Sequence, residues 1–411
     1  MARDRAGKTP HKKDERPRRS EAIVSDRSIF PAKGASRQRV LSELDDAYDE
    51  DFWFGDGRIL GSMCTAPHDI AIEAHSKFIE ANLGNPGLYP GTRKLEDKVI
   101  IWLSALYHCK GCSGQVVGGG TEANITALWL ARNMSPGKRE VVFPRSAHFS
   151  LRKACDLLAM RPVEIPMGDD FTIDIDMARR AISKDTAAVV GIAGTTEVGA
   201  IDDIPALAEA ADGAFLHVDA AFGGFILPFM PALGMGAPAF DFSIDGVSTL
   251  GTDPHKMGLS TIPSGALMLR DERWLDSISV DAPYLTQHRQ TALSGTRCSA
   301  AVAATYAAIR RIGFDGYARI VKGAFDVTRH LSKSLQREGF HLCIEPPLTI
   351  LNIAFDDPRR VQAALLREGW HLSVAREPNS LRVVVMPHVT KQVADNFIEA
   401  LRKAAKELKA L

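Results

Sequence analysis

Two side chains of this sequence, Asp219 and Lys256, have the types and setting for chemistry on a carbonyl. Lys256 closes the run Thr249-Leu250-Gly251-Thr252-Asp253-Pro254-His255-Lys256. The residues Gly246–Leu250 are partly β-branched and bounded by glycine, which reads as a buried strand. Pro254 has no N–H to give a sheet ladder and ends it. Lys256 is therefore expected on a rigid turn at a strand end. A small-residue loop, Gly258–Gly265, and a second strand, Ala266–Leu269, follow. In a cleft there the amine loses solvation, its pKa is expected to fall, and the free amine becomes a nucleophile. A lysine in a surface turn is the commoner case, and position alone does not outweigh it.

Asp219 changes that balance. It ends the apolar strand Phe215–Val218, lies 37 residues before Lys256, and precedes Ala220-Ala221. A carboxylate there suits a charge partner for a protonated ring nitrogen, and Ala221 suits the floor under a flat ring. A lysine joined to a carbonyl, with an aspartate holding a pyridinium nitrogen, is what a protein supplies to pyridoxal 5'-phosphate.

Six runs extend the pattern: Gly61–Thr65, Asn82–Leu88, Gly119–Asn124, His217–Phe225, Asp253–Thr261 and Val385–Thr390. With them the chain, from about residue 40 to its end, resembles the group II pyridoxal-phosphate-dependent amino-acid decarboxylases, and among these the archaeal tyrosine/aspartate enzymes. The resemblance implies a fold type I enzyme that forms a homodimer with shared sites. It implies decarboxylation of L-tyrosine to tyramine, for methanofuran, or of L-aspartate to β-alanine, for coenzyme A. L-glutamate is the alternative substrate. A lyase or aminotransferase on the same scaffold is a rival, as is a non-enzymatic RNA-binding protein acting through a basic tail.

Further candidates fall around these two residues. Gly118-Gly119-Gly120-Thr121 puts a glycine turn at a helix start, where backbone N–H groups favour phosphate. A tight turn is the plain reading, and Gly120 and Thr121 match the family's phosphate loop. Gly-x-Gly-x-x-Gly is absent, which argues against a dinucleotide fold. By resemblance His148 stacks on the pyridine ring and His255 contacts the phosphate. Thr195 and Thr196 suit either the cofactor rim or a turn. His217 shares a strand face with Asp219 and is expected to orient it or pack behind it. The histidines invite a metal reading, but Lys256 has no role in one. By resemblance Gly295-Thr296-Arg297 reaches a neighbouring subunit's phosphate, and Arg382 grips a substrate carboxylate, which a guanidinium does with two prongs. His68, Leu88 and Tyr89 are assigned to the substrate mouth. Tyr284 and His288, in the short segment 281–294, are the candidate acids for protonating the product carbon.

The elements that must position these residues alternate. Strand candidates at 115–117, 140–143, 163–165, 187–192, 215–218, 246–250 and 266–269 are separated by helices at 121–133, 148–159, 175–182 and 204–211. This predicts a mainly parallel seven-stranded α/β sheet with its ligand at the carboxyl ends of the strands. After a helical run at 299–312 and another at 315–337, a small α+β domain is expected. Its strands fall at 348–354 and 381–385, and its helices at 357–368 and 391–408. The domain boundaries predicted are a basic tail 1–39, an N-terminal segment 40–95, a cofactor domain 96–298 and a small domain 299–411.

Composition bounds the class. The 411 residues carry 50 basic and 50 acidic side chains, which argues against a dedicated polyanion binder. Residues 1–39 hold twelve Lys/Arg against five Asp/Glu and read as a solvated basic tail. No apolar run approaches the ~20 residues of a membrane span, and no apolar signal core is seen, so a cytoplasmic protein is expected. Six cysteines are too sparse for a disulfide framework, and Cys109-Lys110-Gly111-Cys112 is expected as two thiols in a turn.

Overall fold

Seven runs of β-branched and small apolar residues form one sheet in the computed structural model, which describes residues 31 and 33–408. The strands are β1 (Ser113–Val117), β2 (Glu140–Pro144), β3 (Arg161–Ile165), β4 (Thr186–Ile192), β5 (Phe215–Asp219), β6 (Val247–Thr252) and β7 (Gly265–Leu269). Their order is β1-β7-β6-β5-β4-β2-β3. Strands β3, β2, β4, β5 and β6 pair in parallel, and β7 pairs antiparallel to both β6 and β1. A parallel neighbour needs a crossover helix. Residues 253–264, between β6 and β7, contain none. All seven residues of β4 are buried, as in a sheet covered on both faces.

The two antiparallel pairings of β7 leave β1 parallel to β6. The strands β1, β2, β4, β5 and β6 therefore end on one edge of the sheet. The predicted topology holds, with ends displaced by one or two residues.

Helices α3 (Pro90–Leu106), α4 (Gly120–Met134), α5 (Ser150–Leu157), α6 (Ile175–Ala181) and α7 (Ile204–Ala211) connect or flank these strands. Pro90 starts α3, where a missing N–H costs nothing. Helix α4 buries Ala123, Ala127, Leu128, Leu130 and Ala131. Gly119 caps it at φ +116°, a conformation that favours glycine.

Between β5 and β6 the pairing passes from Leu216↔Val247 to His217↔Thr249, so Ser248 is an extra residue. Its hydroxyl accepts the Leu216 N–H at 3.2 Å.

Helix α8 (Ser299–Arg337) joins the two predicted helices across a break at Gly313, φ 64°. Helix α2 (Asp69–Lys77) lies against it through Ala71, Ala304 and Ala308. A second, antiparallel sheet holds β10 (Ile350–Ala354), β12 (Ser380–Val384) and β11 (Ser373–Ala375) in that order, with α9 (Pro358–Arg367) and α10 (Lys391–Leu408). Strand β11 has three residues, too few for a readable alternation. A hairpin pairs β8 (Val280–Asp281) with β9 (Arg289–Gln290).

Residues from Trp53 onward form one unit. The predicted boundary at 298 falls on Cys298, the N-cap of α8, so it separates two sheets of that unit. Most of the basic tail lies outside the described residues. The described part of the unit ending at Phe52 contains α1 (Arg37–Glu50), capped by Ser36 and without a buried residue.

Cys109 and Cys112 correct an expectation: they are joined as a disulfide, not left as thiols. The turn, with Gly111 at φ +86°, brings their Cα atoms to 5.6 Å, the spacing a disulfide needs. The other four cysteines are free.

Strand β7 touches the glycine turn before α4 directly. A Cβ on Gly265 would stand 2.6 Å from the Gly119 Cα. Gly265→Ala is expected to push that turn outward and destabilise the fold by about 1–3 kcal/mol. Thermal or denaturant unfolding checks this, and an unchanged midpoint would refute it.

Candidate active site

The strand edge gathers the predicted residues. A cavity of about 290 Å³ is lined by Met63, Gly118–Thr121, Asn124, His148, Ile192, Gly194, Thr196, Asp219, Ala221, Phe222, Asp253, His255, Lys256, Ile262 and Pro263. Gly118–Thr121 follow β1, His148 follows β2, Thr196 follows β4, Asp219 ends β5, and Asp253–Lys256 follow β6. A larger apolar cavity, of about 860 Å³, lies elsewhere against α3 and α8 and holds none of these residues.

The turn bearing Lys256 is held from several sides. Its own N–H donates to the Asp253 carbonyl at 3.0 Å, and the Ser260 N–H to the Pro254 carbonyl at 3.0 Å. Thr305 of α8 bonds the hydroxyls of Ser260 and Ser264 at 2.9 and 2.7 Å. Tyr317 Oη donates to the Gly258 carbonyl at 2.8 Å. The rigid turn expected from the sequence is thus clamped onto a long helix.

The charge state of Lys256 departs from expectation. Burial pulls its pKa down, but Asp253 and Asp219 outweigh burial, and the net direction is up. Lys256 Nζ lies 3.1 Å from Asp253 Oδ2. Alone in the chain, the lysine is an ammonium ion between two carboxylates. Cys64, a free thiol near it, is pushed up by burial although Lys256 pulls the other way.

Asp219 is 5% exposed. Its Oδ1 accepts the Ala221 N–H at 3.0 Å, and its Oδ2 accepts Asn124 Nδ2 at 2.8 Å. Asn124 Nδ2 also reaches Ser150 Oγ at 2.9 Å, and Asn124 Oδ1 lies 2.9 Å from His217 Nε2. His217 Nδ1 is 2.9 Å from Thr249 Oγ1, and His148 Nδ1 is 2.9 Å from Ser150 Oγ. Burial pushes both imidazoles down, with Asp219 opposing. His217 therefore sits behind Asp219, reaching it through Asn124.

The remaining candidates divide. Thr196 lines the cavity, whereas Thr195 is fully buried and its Oγ1 accepts the Ala200 N–H at 3.0 Å, which makes it a turn residue. His255 lines the cavity, with Nδ1–H donating to the Ser264 carbonyl at 2.5 Å. Arg382 is 5% exposed; Nη1 donates to the Gly61 carbonyl at 3.0 Å and to Ser373 Oγ at 2.9 Å. Its Nε and Nη2 are buried and unpartnered. Burial lowers its pKa to about 10, against the pull of Glu197. His388 clasps the neighbouring segment, since its Nε2–H donates to the Ile59 carbonyl at 2.8 Å and Nδ1 pairs with Thr65 Oγ1 at 2.9 Å.

The other candidates lie away from this chain's cavity. His68 caps α2, its Nδ1 accepting the Ile70 N–H at 3.3 Å, and does not line the cavity. Leu88 and Tyr89 line a separate surface groove beside the end of α2. Tyr284 is 86% exposed and Thr296 is exposed, both away from this chain's cavity. Arg297 is spent on Glu96 and the Val116 carbonyl. Among the described residues no three His, Cys, Asp or Glu side chains form a metal-holding group.

Sequence reasoning passed over Asn124, Ser150 and Asp253. Asparagine inside a helix is the one readable signal, because it competes with the helix for hydrogen bonds.

These residues fit pyridoxal phosphate. Gly118–Thr121, the turn that opens α4, stand in the lining of the cavity together with Asp219 and Lys256. The approach to Gly120 is close: a Cβ there would meet Asp253 Oδ2 at 3.1 Å and the Ala221 Cβ at 3.2 Å. The sheet order and this site define a pyridoxal-phosphate enzyme of fold type I.

The pyridoxal-dependent decarboxylase conserved domain matches residues 73–356. A probable L-aspartate decarboxylase of Pyrococcus abyssi is 44% identical over 92% of this chain and all of its own. A probable L-tyrosine/L-aspartate decarboxylase of Methanothermobacter thermautotrophicus is 44% identical over 82% of this chain and 94% of its own. Among solved structures, a sphingosine-1-phosphate lyase of Burkholderia pseudomallei superposes with a TM-score of 0.85 at 27% identity, over 94% of both chains. The chain belongs to the pyridoxal-phosphate-dependent decarboxylase family and is an amino-acid decarboxylase.

His217 makes stability depend on pH. Its folded pKa is depressed, so the stability it contributes is present above about 6.5 and is lost as pH falls below that value, at about 1.4 kcal/mol per unit. Wild-type unfolding midpoints are expected to drop between pH 6.5 and 5 more steeply than those of His217→Gln. Parallel profiles would refute this.

Proposed function

We propose that this decarboxylase acts on L-aspartate and releases β-alanine, the amine from which coenzyme A is built. The observation that carries this reading is the size of the cavity, about 290 Å³, which must hold the cofactor together with the substrate. A carboxymethyl side chain adds little to that demand, whereas a phenol ring adds much. The relative in Pyrococcus horikoshii, 43% identical over 91% of this chain and 99% of its own, is named an L-aspartate/L-glutamate decarboxylase, which supports an acidic substrate. L-tyrosine is the second reading, favoured by the apolar wall of Met63, Ile192, Phe222 and Ile262.

In this reading Gly118–Thr121 and His255 hold the cofactor phosphate, Asp219 holds the ring nitrogen, and His148 and Ala221 face the ring. When bound, pyridoxal phosphate supplies the covalent attachment and the electron sink that accepts the pair left by departing CO₂. Asp219 keeps a proton at the ring nitrogen, which deepens that sink. Lys256 would carry the covalent attachment, and Asp253, 3.1 Å from its Nζ in this structure, holds a proton at that nitrogen. The neutral imidazole of His148 adds no charge over the ring. Arg382 does not line the cavity, but its buried Nε and Nη2 are two unpartnered donors, the pair a substrate carboxylate would take.

The functional unit in this reading is a homodimer. Thr296, Leu88 and Tyr284 are exposed here and serve the partner's cavity, with Tyr284 or His288 as the acid that protonates the product carbon.

Amine formation from L-aspartate, L-tyrosine and L-glutamate tests the substrate. L-aspartate is expected to lead in kcat/KM by about tenfold or more, a difference of about 1.4 kcal/mol in transition-state binding. A lead for L-tyrosine would overturn the proposal. Lys256→Ala is expected to fold and to lose turnover; unchanged turnover would refute the assignment of the attaching lysine. Arg382→Lys is expected to raise KM for L-aspartate, because a point charge replaces a two-pronged donor. An unchanged KM would remove Arg382 from the substrate site.

A further inference from the structure

One arrangement of protons satisfies every side-chain hydrogen bond around Asn124, and it starts from Asp219. An ionised carboxylate only accepts hydrogen bonds. The Asn124 atom 2.8 Å from Asp219 Oδ2 must therefore be the amide NH₂, and the atom 2.9 Å from His217 Nε2 must be the carbonyl oxygen. A carbonyl only accepts, so His217 carries its proton on Nε2. Its Nδ1 is then an acceptor, filled by the hydroxyl of Thr249 at 2.9 Å.

The second branch runs the other way. Ser150 Oγ accepts the other amide hydrogen of Asn124 at 2.9 Å, which leaves its own hydrogen free to point to His148 Nδ1, also at 2.9 Å. The Ser150 backbone N–H approaches the same Nδ1 at 3.4 Å. His148 therefore carries its proton on Nε2.

We propose that Asn124 is a positioning residue that sets the tautomers of both His217 and His148 and fixes the orientation of the Asp219 carboxylate. Asn124 is 1% exposed, so water does not compete for these bonds. No other side chain joins the three groups: His217 bonds Asn124 and Thr249, His148 bonds Ser150, and Asp219 bonds Asn124 and the Ala221 N–H. Only a carboxamide at this position can serve the network, because it must donate twice and accept once. Aspartate has the same shape and cannot donate, and leucine can do neither.

Two measurements test this. In the first, wild-type protein labelled with ¹⁵N-histidine and freed of cofactor is examined by two-bond ¹⁵N–¹H correlation. The His148 and His217 signals are identified by their loss in His148→Gln and His217→Gln. Both rings are expected as neutral Nε2–H tautomers. A proton on Nδ1 of either ring, or on both nitrogens of His217, would overturn the proposal.

In the second, Asn124→Asp and Asn124→Ser are compared with wild type for melting temperature and for pyridoxal-phosphate affinity, read from tryptophan fluorescence. Asn124→Asp is expected to weaken cofactor binding by about tenfold or more, because a charge-assisted bond becomes a repulsion. Asn124→Ser keeps one donor and is expected to fall between. Equal cofactor affinity in all three folded proteins would reduce Asn124 to a packing role and sink the proposal. If Asn124→Asp fails to fold, the tautomer measurement on wild type decides alone.

Discussion

A buried carboxylate at a strand end sets the terms for the surrounding structure. Asp219 is withdrawn from water at the edge of the sheet, and an unpaired charge there would be expensive. The chain meets that demand with two fixed donors, the Ala221 N–H and the Asn124 amide. Both are rigid, one by the turn after β5 and the other by the buried face of α4. The carboxylate so held is part of the lining of the cavity. The same carboxylate also acts at longer range, opposing the loss of protons from His148 and Lys256.

Lysine 256 shows why magnitudes have to be compared before a sign is assigned. Desolvation alone predicts a free amine. The second carboxylate, Asp253, is three residues earlier on the same turn and reverses that outcome. The lysine is thereby stored charged, and Asp253 Oδ1 is left buried without a partner.

Much of this was legible in the residues. The alternation of β-branched runs with amphipathic segments gives the sheet, and the types and order of Asp219, Lys256 and the glycine turn give the site. The unread parts have physical reasons. Asn124, Ser150 and Asp253 act through bonds to residues far away in sequence, and no local pattern encodes those. Leu88, Tyr284 and Thr296 stand on exposed segments away from this chain's cavity, and exposure leaves no hydrophobic pattern to read. Strand β11 is shorter than one period of any hydrophobic pattern. The Cys109–Cys112 bond depends on a left-handed glycine between helix and strand, and composition argued against any disulfide. The break at Gly313 was readable, because glycine there separates two helical runs.

The extra residue in β6 has a consequence for how this strand tolerates change. Ser248 advances the strand by one position relative to β5, and from that point the side chains alternate in the phase that sets Thr249 opposite His217. Excising it would close the bulge into a regular ladder, with Thr249 following Val247 directly and still opposite His217, so the strand end that carries Asp253 and Lys256 would keep its register. A parity constraint falls instead on the residues after the bulge, where a one-residue gap would turn the following side chains to the other face of the sheet.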